Sequence, residues 1–451
     1  KPIGKMSTIE SKFPASNQAK PMALPGSGTD PLYDQQWHLG ASHIPEAWAH
    51  LESQGLPAGG SRDIVVAVID TGVDYTHPDL AANIWINMAE FNGIPGVDDD
   101  GNGYVDDYQG ADTVSPDGDP QDDHGHGTHV AGIIAAQADN DTGGVGVAYN
   151  VQIMPIKAAQ YSGVLASSDI AEAIYYAVAK GADVINMSFG GYAKSTVEED
   201  ALAIAFGQAV LVAAAGNDSK VNLPCLFGVD MYPAAYNWVL GVMAHNQYPN
   251  GDGDYLASFS NYDCTAQDTH EYELMAPGTN IWSTLPDGQY AAWSGTSMAA
   301  PVVSGIAALA RTRWSDKNVY SSRFIMGQIA TTGPNTQAYT PHGKPPVYYH
   351  TPDALAALTT SPQPELSYLQ HWVFDTPDIN PLNDNDGIVD TGETIELAIM
   401  IRNHWGKAAN VTATLEAQAD GAVEPDPYVN MITDTVNYGD IGSFNWQDNG
   451  L

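Results

Sequence analysis

The chain has 451 residues, of which 43% are apolar and only 16% are charged. This length accommodates one large domain and a smaller one, and the apolar share excludes a chain that is disordered throughout. Its 16 lysines and arginines face 54 aspartates and glutamates, a formal charge of −38, so we expect neither nucleic acid nor an anionic membrane as a partner. The acidity favours an extracellular protein that binds hard cations, although solubility alone also explains most of these carboxylates.

The first 36 residues are rich in Pro, Ser and Gly and predict an extended arm. They contain no apolar signal core, so either the protein is not exported or its leader has been removed. The longest apolar run, residues 201–216, is too short to span a bilayer and indicates a buried helix followed by a strand. Cys225 and Cys264 fit one disulfide in an oxidising compartment, and two free thiols are the alternative.

From residue 37 to 360, short apolar runs alternate with helical patterns. This alternation is typical of an α/β domain built on a parallel sheet. The predicted strands lie at 64–69, 184–187 and 211–214, and two predicted helices lie at 169–179 and 298–311.

The first predicted strand ends in Asp70, which is followed by a turn containing Gly72. In open α/β sheets the functional groups lie at the carboxyl ends of the strands. Asp70 is therefore a candidate catalytic carboxylate, although a strand-terminal Asp more commonly caps the helix that follows.

An acidic loop, residues 98–107, comes next. The oxygen ligands that it offers are Asp98, Asp100, Asn102, the Tyr104 carbonyl, Asp106 and Asp107. Their alternating spacing, with Gly103 at the sharp turn, matches the start of a calcium-binding loop, but Gln109 stands where an EF-hand has its bidentate Glu. We predict calcium here, and a solvated acidic loop is the alternative.

His126 is the central histidine of the segment HGHGTH at 124–129. The glycines on both sides of it allow backbone and substrate to approach the imidazole closely. Three histidines also suggest a metal site, but their spacing lacks the HExxH pattern and its glutamate, which argues against zinc.

Ser297 lies where a turn enters the small-residue helix at 298–311. Free N–H groups and the helix dipole favour developing negative charge there. Pro301 lies early in this helix and removes a backbone donor from it, and local rules are broken mostly at functional or strained sites. The alternative is a serine that acts as an ordinary N-cap.

Near residue 360 the pattern changes. We interpret 361–376 as a linker and 377–451 as a small antiparallel β-sandwich-like domain, because apolar residues alternate along two runs. The runs are Ile395, Leu397, Ile399 and Ile401, and then Val411, Ala413 and Leu415. About 85 residues is short for a sandwich, which is compatible with a natural chain that continues past Leu451. A second calcium loop is predicted at its start, with the ligands Asp384, Asp386, Asp390 and Glu393.

The order Asp, His, Ser on these three segments resembles the subtilase family, the subtilisin-like serine peptidases (S8). Other matching stretches are HPDL at 77–80, MSFGG at 187–191, AAAGN at 213–217, YPAAY at 232–236, SFSN at 258–261 and MAPGTNIWSTLP at 275–286. The resemblance covers residues 30 to 315 and implies a parallel seven-stranded sheet flanked by helices. It also implies a secreted, calcium-stabilised serine endopeptidase whose triad is Asp70, His126 and Ser297.

The same resemblance assigns further residues. Asn217 is expected to supply the side-chain amide of the oxyanion hole. The expected substrate-binding residues are Ser188, Phe189, Gly190 and Gly191 on one cleft edge, Ser162 and Gly163 on the other, and Ala214 and Gly216 at the P1 pocket. Small pocket walls favour large apolar P1 side chains, and Asp218 leaves a basic P1 residue as the alternative. Asp30, Asp79 and Asn140 match a calcium site near the arm, and a helix-capping role for Asp79 is the alternative.

Two departures from the family pattern stand out. Val302 replaces a common His after the nucleophile, and 56 residues separate Asp70 from His126. We expect a monomer that acts on proteins or peptides and that uses its own propeptide during maturation. The competing hypotheses are a catalytically inactive binding protein that uses the β domain, and a metallohydrolase that uses the histidines.

Overall fold

The computed structural model describes residues 2–5, 9–10, 29–219, 230–263, 272–340, 346–360, 364, 366–383, 394–403, 406–415, 432–442 and 446–448. The chain forms two compact units, residues 1–360 and 361–451. None of the helices in the described ranges has the length and apolarity needed to cross a membrane.

The first unit contains most of the regular structure. Its strands are β1 (Pro2–Lys5), β2 (Ile9–Glu10), β3 (Val65–Asp70), β4 (Ala111–Asp112), β5 (Gln152–Lys157), β6 (Val164–Ala166), β7 (Val184–Met187), β8 (Val210–Ala214), β9 (Leu240–His245), β10 (Leu274–Pro277), β11 (Ile281–Leu285), β12 (Gln289–Ser294), β13 (Asn335–Tyr339) and β14 (Val347–His350). Its helices are α1 (Trp37–Ala41), α2 (Ile44–Ser53), α3 (Met88–Phe91), α4 (His126–Ala135), α5 (Ser167–Ala179), α6 (Thr196–Ala205), α7 (Thr296–Arg313), α8 (Ser322–Thr332) and α9 (Ala354–Thr359).

A nine-stranded sheet with the order β13-β14-β10-β9-β8-β7-β3-β5-β4 organises this unit. Neighbouring strands are parallel from β14 to β4, and only the edge strand β13 is antiparallel. The predicted α/β class is therefore confirmed. The sheet is wider than the seven strands expected, because the β13–β14 hairpin extends one edge.

Strand β3, which lies between β7 and β5 inside the sheet, explains why the sheet forms. All six of its residues are buried, as expected for a Val- and Ile-rich strand covered by helices on both faces. Residues 201–216 behave as predicted, since they comprise the end of α6 and then β8.

Helix α7 is buried around almost its whole circumference. Small side chains make this possible: a Cβ added to Gly305 would lie 2.5 Å from Val147 Cβ, closer than packed atoms approach. The helix also packs against β7, β8 and β9, and its first turn is bonded to Ser188 and Asn217, just beyond the ends of β7 and β8.

The second unit has two small antiparallel sheets, consistent with an additional C-terminal β domain. One contains β15 (Leu366–Phe374), β16 (Glu396–Asn403) and β19 (Trp446–Asp448), and the other contains β17 (Ala408–Thr414) and β18 (Thr435–Ile441). A small core at Ala408, Val411, Tyr438 and Ile441 joins them, with Ile401 of β16 packed against it. Strand β15 lies inside residues 361–376, the segment predicted to be a linker, and it pairs along the whole of β16.

Candidate active site

Asp70 is the last residue of β3, at the carboxyl edge of the sheet, and its side chain is fully buried. Its Oδ1 accepts the N–H of Thr71 at 2.8 Å. The turn that follows requires glycine: Gly72 has φ 98°, and a Cβ there would lie 2.4 Å from the Pro120 carbonyl oxygen. The chain can therefore leave the strand sharply and keep the carboxylate at the sheet edge.

His126 begins α4, directly after Gly125, which has φ 101°. Its Nδ1 lies 2.7 Å from Asp70 Oδ1, and both side chains are fully buried. Gly127 allows this approach, because a Cβ at that position would lie 2.0 Å from the Gly72 carbonyl oxygen. Within the described part of the chain, the buried Nε2 atom has no hydrogen-bond partner.

Ser297 is the second residue of α7 and is 3% exposed. Its Oγ donates to the Ser188 carbonyl at 3.0 Å, and Ser188 Oγ donates to the Ser297 carbonyl, also at 3.0 Å. Pro301, four residues later, has no N–H to donate to that carbonyl. Ser188 thus replaces the helical bond that Pro301 removes, which accounts for the proline that the sequence singled out.

The structure joins Asp70 and His126 by a hydrogen bond, whereas the Ser297 hydroxyl is bonded to Ser188. The Trp293 ring, on β12, stacks 6.4 Å from the His126 ring at 28°, and Trp293 is four residues before Ser297. Apo active sites commonly show such incomplete hydrogen bonding.

Asn217 lies just beyond β8. Its Oδ1 accepts the Thr296 N–H at 2.8 Å and the Thr296 hydroxyl at 3.0 Å. Because the amide oxygen is held at the residue before Ser297, the amide group as a whole is fixed beside the first turn of α7.

The remaining substrate-binding candidates lie on two edges. Ser162 and Gly163 precede β6, which pairs antiparallel with β1. On the other edge Ser188 and Phe189 are buried, and Gly191 pairs with Tyr232. The space beside Gly216 is occupied, since a Cβ there would lie 2.3 Å from Met231 Cε. Gly190 is equally close to this methionine, since a Cβ added to it would lie 2.7 Å from Met231 Cγ. Ala214 is buried at the end of β8.

The histidines do not converge as metal ligands. His129 Nε2 lies 3.1 Å from the Ala291 carbonyl, and its ring stacks 4.6 Å from Trp293. Burial lowers the pKa of His129 to about 3, so this imidazole stays neutral. The group of candidate metal ligands found among the described residues contains carboxylates only.

That group is Glu90, Asp98 and Asp100, each of which places a carboxylate oxygen within 4.8 Å of the others. Glu90, on α3, was not predicted because it lies outside the acidic loop, and no local pattern marks it. It is 1% exposed and accepts the N–H groups of Asp99 and Asp100 at 2.8 and 3.0 Å.

The other predicted ligands of this loop are engaged by protein donors. Asp107 accepts from Tyr176 Oη at 2.5 Å and from Asn102 Nδ2 at 2.8 Å. Asp106 accepts from Tyr108 Oη at 2.6 Å. Tyr104 is buried.

The clustered carboxylates are hydrogen-bonded as well: Asp98 accepts the N–H groups of Gly101, Asn102 and Gly103. Asp100 accepts from Asn87 Nδ2 and forms an ion pair with Lys180. What distinguishes the cluster is that its carboxylate oxygens approach one another.

Asp30, Asp79 and Asn140 do come together. Asn140 Nδ2 donates to Asp79 Oδ1 at 2.7 Å, and Asp30 Oδ1 accepts the Asn140 N–H at 3.1 Å. Asp79 is fully buried, and its Oδ2 has no partner within the described ranges. Burial, with the nearby charge of Asp30, raises the pKa of Asp79 to about 7.

Several predictions fall outside the described residues. They concern the second acidic loop, with Asp384, Asp386, Asp390 and Glu393, and the disulfide between Cys225 and Cys264. These stay predictions.

Residues 61–340 match the family model described as the subtilase family, peptidase S8. Among curated proteins, the chain is 39% identical over 286 residues to a thermophilic serine proteinase of Bacillus sp. (strain AK1), covering 63% of this chain and 61% of that protein. It is 35% identical to subtilisin DY of Bacillus licheniformis, covering 64% and 93%. A halolysin-like extracellular serine protease of Natrialba magadii is 38% identical, with 62% and 44% covered.

The match to several of these relatives is partial: it spans 61% of the Bacillus sp. proteinase and 41% to 47% of subtilisin-like protease 1 from two Plasmodium species. The matched family region nevertheless contains Asp70, His126, Asn217 and Ser297 and exceeds half of the chain. On this basis the chain belongs to the subtilase family.

Proposed function

We propose that this protein is a secreted serine endopeptidase that cleaves peptide bonds with Asp70, His126 and Ser297. The observation that carries the proposal is the 2.7 Å hydrogen bond between the fully buried His126 and Asp70. A carboxylate on Nδ1 fixes the imidazole tautomer, so that Nε2 is the basic nitrogen, and it stabilises the imidazolium that forms.

In the proposed reaction, Ser297 Oγ attacks the substrate carbonyl carbon while His126 Nε2 takes the hydroxyl proton. The Ser297 hydroxyl must therefore turn from the Ser188 carbonyl toward the imidazole. The C–N bond then breaks, the leaving amine takes the proton, and an acyl-enzyme remains. Water deprotonated by His126 hydrolyses this ester and restores the serine.

The tetrahedral intermediate carries an oxyanion, and Asn217 is the proposed side-chain donor to it. The Thr296 N–H and hydroxyl both donate to its amide oxygen. The amide nitrogen, on the other side of the same group, therefore points away from Thr296. The backbone N–H of Ser297 is the proposed second donor. Removing one such donor typically lowers the rate about 10²- to 10³-fold.

The proposed substrates are extended segments of proteins that pair with the cleft edges. The N-terminal segment of this same chain supports this mode. Its strand β1 pairs antiparallel with β6, with Gly4 opposite Leu165, and its strand β2 pairs with β12, with Ile9 opposite Ser294. This pairing also supports the proposal that a segment preceding the mature enzyme occupies the cleft during maturation. A preference for large apolar P1 residues stays a prediction.

Calcium is the proposed structural cofactor, at two sites. The buried Asp79 Oδ2, which lacks a described partner beside Asp30 and Asn140, fits a cation because hard cations take oxygen ligands and a buried ionised carboxylate is costly without one. The oxygens of Glu90, Asp98 and Asp100 offer the second.

The direct test is labelling of the protein with a serine-directed sulfonyl fluoride, followed by mass spectrometry. We expect label on Ser297 and loss of casein hydrolysis, with the Ser297→Ala variant folded but inactive. The Ser188→Ala variant is the matched comparison, since it removes a hydroxyl that bonds to the Ser297 carbonyl and leaves the nucleophile. Casein hydrolysis by Ser297→Ala at the wild-type rate would refute the proposal, and persistence of wild-type activity in a strong zinc chelator would exclude a zinc hydrolase.

A further inference from the structure

Asp122 is a buried carboxylate, 6% exposed, four residues before His126. Its Oδ1 accepts the N–H groups of His124 and Gly125 at 2.9 and 2.8 Å. Its Oδ2 accepts the Thr128 N–H at 3.0 Å. These three bonds satisfy backbone donors around the start of α4, as a helix-capping carboxylate does.

Two further bonds go beyond capping. Thr71 Oγ1 donates to Asp122 Oδ1 at 2.9 Å, and Thr128 Oγ1 donates to Asp122 Oδ2 at 2.5 Å. Thr71 follows Asp70 on the segment that leaves β3, whereas Thr128 is on α4 with His126. One carboxylate therefore binds a hydroxyl from each of the two segments that carry the Asp–His pair.

Each hydroxyl also accepts an N–H from the opposite segment. Thr71 Oγ1 accepts the Gly127 N–H at 2.9 Å, and Thr128 Oγ1 accepts the Asp74 N–H at 2.9 Å. A hydroxyl has one proton. The Thr128 hydroxyl donates its proton to Asp122, whereas the Thr71 hydroxyl lies 2.9 Å from Asp122 Oδ1 and 3.3 Å from Asp70 Oδ1, with Asp122 the nearer acceptor. The result is a reciprocal cross-link between the two segments, with Asp122 accepting at both oxygens.

This cross-link is adjacent to the Asp–His pair at two points. The Thr71 N–H donates at 2.8 Å to Asp70 Oδ1, the same oxygen that lies 2.7 Å from His126 Nδ1. Gly127, whose N–H is held by Thr71, is the residue after His126. We infer that Asp122 is a positioning residue that sets the approach of His126 to Asp70 through Thr71 and Thr128. The inference rests on the proposed function, because the pair that it positions is the proposed acid–base machinery.

The test compares Asp122→Asn with Thr71→Val and Thr71→Ser, and counts active sites by exhaustive labelling with a fluorophosphonate. Asn turns an N–H2 group toward donors, Val removes the Thr71 hydroxyl at nearly constant shape, and Ser retains it. A misplacement of about 1 Å can cost about 10²-fold in rate. We expect kcat per labelled site to fall at least tenfold in Asp122→Asn and Thr71→Val, with KM changed less than about twofold, and Thr71→Ser to recover most of the rate.

A double variant, Asp122→Asn with Thr71→Val, is expected to lose no more than the worse single variant, because both break one network. Asp119→Asn, an exposed carboxylate three residues earlier, is the matched control for loss of charge. A variant with fewer labelled sites but wild-type kcat per site would overturn the inference, since Asp122 would then serve only folding. If Asp122→Asn does not fold, the comparison of kcat per labelled site between Thr71→Val and Thr71→Ser tests the inference without it. Failure of the proposed function would be distinct: the Ser297→Ala variant would remain active.

Discussion

Two acidic regions of this protein differ in what lies next to their carboxylates. At the sheet edge, the carboxylates contact the segments that carry the Asp–His pair: Asp70 Oδ1 accepts from Thr71 and lies 2.7 Å from His126 Nδ1, and Asp122 accepts five hydrogen bonds. Asp70 Oδ2, like Asp79 Oδ2, has no partner among the described residues. In the cation-binding candidates, carboxylate oxygens approach one another. Glu90, Asp98 and Asp100 gather within 4.8 Å, and Asp79 keeps a buried oxygen with no described partner.

This difference indicates what each region does. A carboxylate oxygen that is bonded to the catalytic imidazole, as Asp70 Oδ1 is, can orient that side chain, as a base-orienting group requires. Carboxylates that face one another repel unless a cation lies between them. Substitutions at the sheet edge should therefore change the rate, and substitutions in the clusters should change stability.

The largest effect is expected from Asp70→Asn. The amide preserves the shape but no longer enforces the basic tautomer of His126, and kcat should fall about 10⁴-fold, as in a serine-protease triad that loses its aspartate charge. Asp98→Asn removes one charge from the acidic cluster and should leave kcat within about twofold. Steady-state kinetics on one peptide substrate measures both, and comparable losses in the two variants would erase the distinction between the regions.

The second effect concerns calcium and stability. A ligand that binds only the folded state at a concentration 100 times its Kd adds about 2.7 kcal/mol to the free energy of unfolding. We expect chelation to lower the Tm while calcium restores it, and Asp79→Asn to lose much of that calcium-dependent increment. Calorimetry with and without calcium measures this, using an inactive Ser297→Ala background to prevent self-digestion.

The control for this experiment is Asp34→Asn, since Asp34 is exposed and lies in the same N-terminal region. Its calcium-dependent Tm increment should equal that of the parent. If Asp79→Asn also retains the full increment, Asp79 is not a ligand. Glu90→Gln tests the second cluster in the same way.

Local patterns predicted the elements that carry the chemistry. The strand at Val184–Met187 and the end of the helix at Ala179 lie where the sequence placed them. A buried strand is a short, continuous apolar run between turn residues, whereas a helix has a longer period of about 3.6 residues, so short windows suffice to find both. The expected bond between Asp70 and His126 followed from chain order and family resemblance.

Contacts set by distant parts of the chain could not be predicted. Ser188 bonds to Ser297 across 109 residues. Glu90 is only eight residues before Asp98, but it stands outside the alternating ligand spacing of the loop, so no local pattern includes it in the cluster. Strand β15 was missed because the prolines near residue 363 suggested a linker, whereas pairing with β16 determines its conformation. Only Pro301 gave a local signal for such a contact, through the carbonyl that it leaves without a helical donor.

The smallest expected effect is on the pH dependence of stability, and it comes from His38, a buried histidine that belongs to neither acidic region. It is fully buried on α1, and neither ring nitrogen has a partner within the described ranges. Burial lowers its pKa to about 3 from 6.5. Between these two values the unfolded chain binds a proton that the folded protein does not, so stability rises with pH. The stabilisation is complete above pH 6.5 and is lost progressively as the pH falls toward 3.

The value pH 5.5 is one unit below the ordinary pKa of histidine. There, the His38 side chain alone should lower the free energy of unfolding by about 1.4 kcal/mol relative to its value at neutral pH. His38→Leu should therefore flatten the dependence of the free energy of unfolding on pH between 6.5 and 4.5 without changing kcat. His43→Gln is the matched control, because His43 is exposed and its Nδ1 is bonded to Asp353. Denaturant unfolding at several pH values measures the slope, and an unchanged slope in His38→Leu would mean that His38 binds its proton equally in both states.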